Sequence, residues 1–335
     1  MTETLAYAFG RPAVGGVLRA AVEDFQVMEN LGFAPDGDGE HVFLRVRKRG
    51  ANTDWVARRL AAFAGVTPMA VGYAGLKDRQ AVAEQWFSVH LPAGARDWPA
   101  CREADFEVLE AVRHSRKLRR GALRGNAFRI VIRGLDGPRE DLERRLARLG
   151  AMGAPNYFGD QRFGREGGNL AAAEAMLAGQ RIRDRHRRGL YLSAARAHLF
   201  NQVLSRRVAE GTWNTLLDGE VLMLEGSHSV FAAVADDTLR QRVADQDLHP
   251  TGPLWGSGEL LSGGTVRALE QAVADAWPVL SRGLAEAGLR QERRALRVRV
   301  QALAWEDIGA DAGAVSFQLP AGAYATAVLR ELVAA

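Results

Sequence analysis

The segment Gly72-Tyr73-Ala74-Gly75-Leu76-Lys77-Asp78-Arg79 sets one carboxylate, Asp78, between two cations at the end of a glycine-containing turn. Neighbouring positive charge favours the ionised form of a carboxyl group, so Asp78 is expected to be an anion at neutral pH. An anion is what a carboxylate nucleophile or base requires. The apolar run Met69-Ala70-Val71 reads as a strand, and glycines three apart are expected to bring the backbone close to another surface. A surface turn with a solvated ion pair has the same spacing, so these residues alone leave both readings open. A P-loop is excluded, because Asp78 rather than Ser or Thr follows Lys77 and the glycine spacing differs. Only three of the 44 basic residues are lysine (Lys48, Lys77, Lys117), so lysine beside Asp78 suggests that a compact ammonium is wanted there.

Composition narrows the classes. A hydrophobic content of 47% with 25% charged residues is that of an ordinary globular protein, and 335 residues suggest roughly two domains. No run of about 18 apolar residues is present, and the first residues lack a signal-peptide pattern. The single Cys101 excludes an intramolecular disulfide or a cysteine-based metal site, and the seven histidines show no ligand spacing. The expectation is a cytoplasmic protein without metal or cofactor. The net charge of +4 says little, but its distribution says more. Six cations and no acid lie between Arg113 and Arg124, and five arginines against one aspartate lie in 181–188. Solvated faces would also look like this; two such runs fit a phosphate-backbone footprint better.

Apolar alternation predicts strands around Phe25–Glu29, 41–47, 85–91, 106–108 and 128–132, one face of the sheet covered and the other open. Helices are predicted over 52–64, stopped by Gly65, and over 138–150, stopped by Gly150. Helices at 169–178, 193–210 and 266–287 mark a region of different composition. Strand alternation returns at 296–300 (Leu296, Val298 and Val300 against Arg297 and Arg299) and at 315–319, before a helix at 322–333. This predicts an α+β protein whose largely antiparallel sheet is built from both ends of the chain, with a second domain inserted.

The order of residues from Gly72 to Trp86 resembles the signature of the TruD family of tRNA pseudouridine synthases. Four further blocks resemble that family in the same order: Glu23-Asp24-Phe25 with Val27 and Glu29; Arg116-Lys117-Leu118-Arg119 leading to Gly125-Asn126-Ala127-Phe128; Pro155 to Gly164; and Leu319 to Thr326. The resemblance implies a pseudouridine-synthase catalytic domain over 1–152 and 293–335, with an inserted α/β domain particular to the family over 153–292. It implies isomerisation of a tRNA uridine, at position 13 in the D arm, with Asp78 as the catalytic aspartate. No cofactor is needed for such a reaction, and neither a protein partner nor a membrane is expected; a monomer is anticipated.

The implied base or nucleotide contacts are Phe25, Asn126, Phe128 and Tyr324, the last standing where the family commonly has phenylalanine. Arg19 matches a basic position of the family, and Arg19 and Lys77 are equal candidates for the cation beside Asp78. Glu23 and Asp24 are expected to orient those cations, and Arg162 to contact phosphate. Phe128 also reads as sheet core with Ile130 and Ile132, and Asn126 as a turn residue. The rival function is a non-catalytic RNA-binding protein or tRNA chaperone on the same scaffold. Asp78 separates the two, since binding alone gains nothing from an anion in a phosphate-facing cleft.

Overall fold

The computed structural model describes residues 5–94 and 96–334. They form two compact units, one of residues 14–137 with 301–322, the other of 5–13, 138–300 and 323–334. In chain order the first unit carries β1 (Gly15–Leu18), β2 (Phe25–Asn30), β3 (His41–Arg49), α1 (Thr53–Ala64), β4 (Val71–Tyr73), β5 (Val82–His90), β6 (Arg102–Glu103), β7 (Phe106–His114) and β8 (Gly125–Asp136). The second unit follows with α2 (Arg139–Met152), β9 (Ala154–Pro155), α3 (Gly168–Leu177), α4 (Arg185–Ala209), β10 (Val221–Leu224) and β11 (Val230–Ala232). It continues through α5 (Asp237–Ala244), β12 (Leu248–Leu254), α6 (Gly264–Ala276), α7 (Pro278–Glu286), β13 (Glu292–Ala295) and β14 (Arg297–Val298). The strands β15 (Gln301–Gly309) and β16 (Ala312–Pro320) return to the first unit, and α8 (Ala325–Leu332) to the second.

The first unit is a ten-stranded sheet in the order β15-β16-β8-β2-β5-β3-β7-β6, with β1 on β8 and β4 on β5. Every pairing is antiparallel except β2 with β5. β16 lies along β8 from Gly313 opposite Ile132 to Pro320 opposite Gly125, so the sheet does join both ends of the sequence. Register fixes which side chains share a face. Phe25, Val27 and Glu29 stand opposite Ile130, Phe128 and Asn126, while Val27 neighbours Ala83 on β5 and Lys48 faces Ala83 from β3. On this face α1 packs Val56, Ala57 and Leu60 against Leu44, Val46 and Phe87. Each fully buried aliphatic side chain contributes about 1.5–3 kcal/mol. Gly65 ends α1 at φ 71°, its N–H closing onto the carbonyls of Ala61 and Ala62.

The other face is charged where it is open. Arg45 pairs with Glu84 and Glu110, and Arg47 with Glu84 and Glu107. Farther along, Phe43 gathers Leu31, Ala74 and Leu118 beneath the loop that joins β7 to β8.

The second unit pairs β11-β10-β12-β13 in one small sheet and β14 with β9 in another, beside its helices. None of the helices among the described residues is long and apolar enough to cross a membrane.

Several boundaries differ from the sequence expectation. Pro68–Ala70 is a 3-10 turn, so the strand starts at Val71. Gly150 lies inside α2; the stop is Gly153, at φ 76°. Pro278, which cannot donate a helical hydrogen bond, divides the expected 266–287 helix into α6 and α7. The α4 helix begins at Arg185, capped by Asp184, whose carboxylate accepts from the N–H groups of His186 and Arg187. The final helix is shorter than 322–333 at both ends. Residues 296–300 are no alternating strand: Arg297 is buried and donates to His249 Nδ1 and to the Val243 and Leu248 carbonyls.

Of the two glycines before Asp78, only Gly72 is crowded. A Cβ there would stand 2.4 Å from the Leu118 carbonyl oxygen and 2.8 Å from Ser88 Oγ, whereas at Gly75 nothing lies within 4 Å. Gly72→Ala is therefore expected to lower the unfolding free energy by about 1–3 kcal/mol, as overpacking does. Gly75→Ala should change it by less than about 0.5 kcal/mol. Urea midpoints of the two variants check the contrast.

Candidate active site

Two segments of the first unit build the site, the turn after β1 and the loop between β4 and β5. Arg19 opens the turn at φ 59°, a left-handed conformation uncommon for a residue with a side chain. Such backbone strain costs about 1–3 kcal/mol and persists only where the surroundings impose it. Here they do: Asp24, buried, accepts from the Ala21 N–H at 2.8 Å and takes a two-pronged bond from Arg133, Nη2 to Oδ1 at 2.7 Å and Nε to Oδ2 at 3.0 Å. The Arg133 guanidinium holds the Asp24 carboxyl below its ordinary range. From this turn Arg19 lies over the Phe25 ring, 4.6 Å from its centroid, and its Nη2 is 3.1 Å from Asp78 Oδ2.

The Asp78 loop rests on polar groups buried where a sheet core would ordinarily be apolar. Lys77 turns inward, its Nζ 2.5 Å from Glu29 Oε1; Glu29 Oε2 in turn accepts from the Trp86 N–H at 2.8 Å. Burial pushes the Glu29 carboxyl up, and the Lys77 ammonium pulls it back. Thr53, the first residue of α1, accepts from the Lys77 N–H at 3.0 Å and donates to Gln85, whose amide donates to the Gly75 carbonyl at 2.7 Å. Lys48, wholly buried, donates to the carbonyls of Ala51 at 2.7 Å and Asp78 at 2.8 Å. Burial lowers its ammonium to about 8, against the opposing pull of the Asp78 and Glu29 carboxylates. Asp78 itself turns back on the loop, Oδ1 accepting from the Gln80 N–H at 3.1 Å, and keeps 20% of its side chain exposed. Arg79 Nε donates to the Gly50 carbonyl.

The geometry separates the two candidate cations: Arg19 reaches Asp78, while the Lys77 ammonium is committed to Glu29. Glu23 pairs with Arg49 at the surface rather than with Arg19 or Lys77, so the supporting place expected of it falls to Asp24 alone. Phe25 meets Phe128 edge-on at 6.1 Å, and Phe128 lies 5.4 Å from Phe317. Both Phe25 and Phe128 are largely buried, as the sheet-core alternative expects, with Phe25 in contact with the ion pair. Asn126 stands across from Glu29 and Leu319, and its Oδ1 is buried without a hydrogen-bond partner among the described residues. An unmade buried hydrogen bond costs about 1–3 kcal/mol, which a ligand donor would recover.

Tyr324 and Arg162 come together in the second unit. The Tyr324 hydroxyl accepts from Arg162 Nη2 at 2.6 Å and Nε at 3.1 Å, while Arg162 Nη1 donates to Ser193 Oγ at 2.8 Å. The hydroxyl that distinguishes Tyr324 from phenylalanine thus tethers a guanidinium. Among the described residues, no group of three or more His, Cys, Asp or Glu is placed to hold a metal ion.

Sequence reasoning missed Lys48, Glu29, Thr53 and Gln85 as determinants of the loop. A signal was present for three of them: Glu29, Lys48 and Gln85 occupy apolar-parity positions of neighbouring strands.

A carboxylate paired with a guanidinium that lies over an aromatic ring, on a loop held by buried polar groups, is an arrangement suited to acid–base or nucleophilic chemistry. The family profile described as tRNA pseudouridine synthase D (TruD) matches residues 1–183 and 169–332. A tRNA pseudouridine synthase D from Aeromonas salmonicida is 49% identical over 337 residues, covering 100% of this chain and 95% of its own. That of Hydrogenovibrio crunogenus is 46% identical, covering 98% and 95%. A crystal structure of a putative tRNA pseudouridine synthase D from Methanosarcina mazei superposes with a TM-score of 0.76 at 22% identity, over 98% of this chain and 95% of that one, which shows a shared fold. The chain belongs to the TruD family of tRNA pseudouridine synthases.

Two expectations follow from the buried lysines. Because the folded state holds Lys48 at about 8 against an ordinary 10.5, the unfolded chain binds more protons between those values, and stability gains a component that rises with pH across that window. Urea midpoints from pH 7 to pH 11 should show it in the wild type and lose it in Lys48→Met; an unchanged slope would exclude Lys48 as its source. Lys77→Met strands the Glu29 charge in the core and should cost about 3–5 kcal/mol, with Glu29→Gln introduced alongside recovering part of the loss.

Proposed function

We propose that this protein converts a tRNA uridine, at position 13 of the D arm, to pseudouridine, with Asp78 as the catalytic carboxylate. The reaction breaks the N1–C1′ glycosidic bond, turns the uracil, and joins C5 to C1′; the C5 proton is lost and N1 gains one. No electrons are exchanged and no group is donated, so the chemistry calls for neither a redox cofactor nor an activated donor. The observation that carries the reading is the ion pair of Asp78 with Arg19, on a loop immobilised from beneath, in a chain matched from end to end by TruD relatives. Arg19 holds the carboxylate in place from the neighbouring strand turn. Addition to C6, attack at C1′ and removal of the 2′ proton all need that anion, and all three remain compatible with it.

The target base must leave its stack, at a cost of a few kcal/mol. Stacking in the protein returns about 1–3 kcal/mol, the part assigned to Phe25 and Phe128. Asn126 Oδ1 would accept from the base edge or ribose, Tyr324 would contact the nucleotide, and Arg162 would serve phosphate. Residues 1–152 with 293–335 are assigned to the catalytic domain and 153–292 to the insert, in a monomer acting on tRNA in the cytoplasm. A tRNA chaperone on this scaffold would have no use for Asp78 paired in this way.

Pseudouridine mapping of tRNA from cells with and without the protein tests the position. Purified Asp78→Asn is expected to lower turnover by about 10³-fold or more while tRNA affinity stays within about threefold. Turnover near that of the wild type would remove Asp78 from the chemistry.

A further inference from the structure

On the face of the sheet opposite Lys48 and Phe128 lies a cavity of about 910 Å³ that the proposed reaction does not use. Alternation along β3 places His41 and Phe43 there, since Lys48 and Val46 point the other way. Phe33, His114 and the loop 115–122 complete the walls. A mononucleotide fits well within such a volume.

Three features of the cavity select its occupant. The first is an aromatic shelf. Phe33 is stacked on His114 at 5.5 Å and meets Phe43 edge-on at 6.2 Å, so it is fixed in place, yet it is 45% exposed. The second is an excess of positive charge, three cations against the one Asp36 carboxylate, whose field Arg116 shares. Arg116, Lys117 and Arg119 stand on the rim, and among the described residues neither Arg116 nor Arg119 forms an ion pair. The arginines on the open part of the same face, Arg45 and Arg47, are each paired with two glutamates. The lining carboxylate, Asp36, is occupied in shaping the loop, accepting from the Ser115 N–H at 3.0 Å and from its hydroxyl. The third is an attachment to the start of the Asp78 loop and to β5: the Gly121 N–H donates to the Ala74 carbonyl at 2.8 Å, and the Leu118 N–H to Ser88 Oγ on β5 at 2.9 Å.

From the shelf and the unpaired cations we infer that this cavity binds an unpaired nucleotide of the RNA substrate, its base on Phe33 and its flanking phosphates on Arg116 and Arg119. The inference rests on the tRNA reading above and gives that substrate a second contact, on the sheet face away from Asp78. A base stacked on an exposed aromatic gains about tenfold or more in affinity, and each single-strand phosphate contact adds about 0.7 to the slope of log K against log salt. The two contributions can therefore be read apart.

The test is the affinity of an unmodified tRNA transcript for the intact protein, measured over a range of salt. Phe33→Ala should weaken binding about tenfold with the salt slope unchanged, and Phe33→Trp should restore it. Arg116→Gln with Arg119→Gln should make the slope shallower by about 1.4. Free UMP and AMP are titrated in parallel. Binding of a free nucleotide that depends on Phe33, with tRNA affinity indifferent to it, would reassign the cavity to a small-molecule ligand and overturn the inference. Unchanged tRNA affinity in all three variants would overturn it too, and is what a protein occupant would give. Turnover by the wild type reports on the functional reading separately: pseudouridine could form with the cavity idle, and the cavity could hold RNA without turnover.

Discussion

Lys77 is held inward by Glu29, and that contact fixes the stretch of loop from which Asp78 meets Arg19. The anchor is the contact of Lys77 with Glu29 inside a sheet, a place where two charges lose most of their hydration. Such a pair is poor value as a source of stability. Its use here is positional, since an ammonium that can be satisfied at one place only gives the loop a single setting. Thr53, Gln85 and Lys48 add three more fixed bonds to the same few residues. The loop that carries Asp78 is thereby fixed at several points, the preorganisation that the proposed role of its carboxylate would need.

Arg19 meets that carboxylate from a different strand, out of a backbone conformation that it would not choose alone. The strain is held by Asp24 and Arg133, in the turn that leads into β2. Counting Arg19, Lys48 and Lys77 against Glu29 and Asp78 leaves the cluster one positive charge in excess. That balance suits a substrate whose backbone is anionic.

Much of this was readable in the chain. The strands follow from alternation because the sheet has one apolar face, and the Asp78 loop from its ordered glycine, lysine and aspartate. The partner of Asp78 was not readable. Arg19 and Lys77 are both cations near the right place, and the difference between them is a matter of direction, fixed by Glu29 across the sheet. The helix ends misread at Gly150 and Pro278 have a similar cause. Glycine tolerates a helix interior when nothing presses on it, and a proline can start a second helix as readily as end the first. Arg297 misled for another reason: a long guanidinium can be buried when carbonyls are arrayed to receive it, and those carbonyls lie some fifty residues upstream.

The pairing of β16 along β8 has a consequence for how this protein comes into being. During synthesis β8 leaves the ribosome with β2 already available on one side, while its other long edge stays bare until residues 312–320 have been made. An unpaired apolar edge is a template for association with another chain. Long-range pairing of this kind also folds slowly. Residues 138–300 are therefore made while that edge of the sheet is still unpaired, and the sheet can be completed only after most of the second unit has been synthesised.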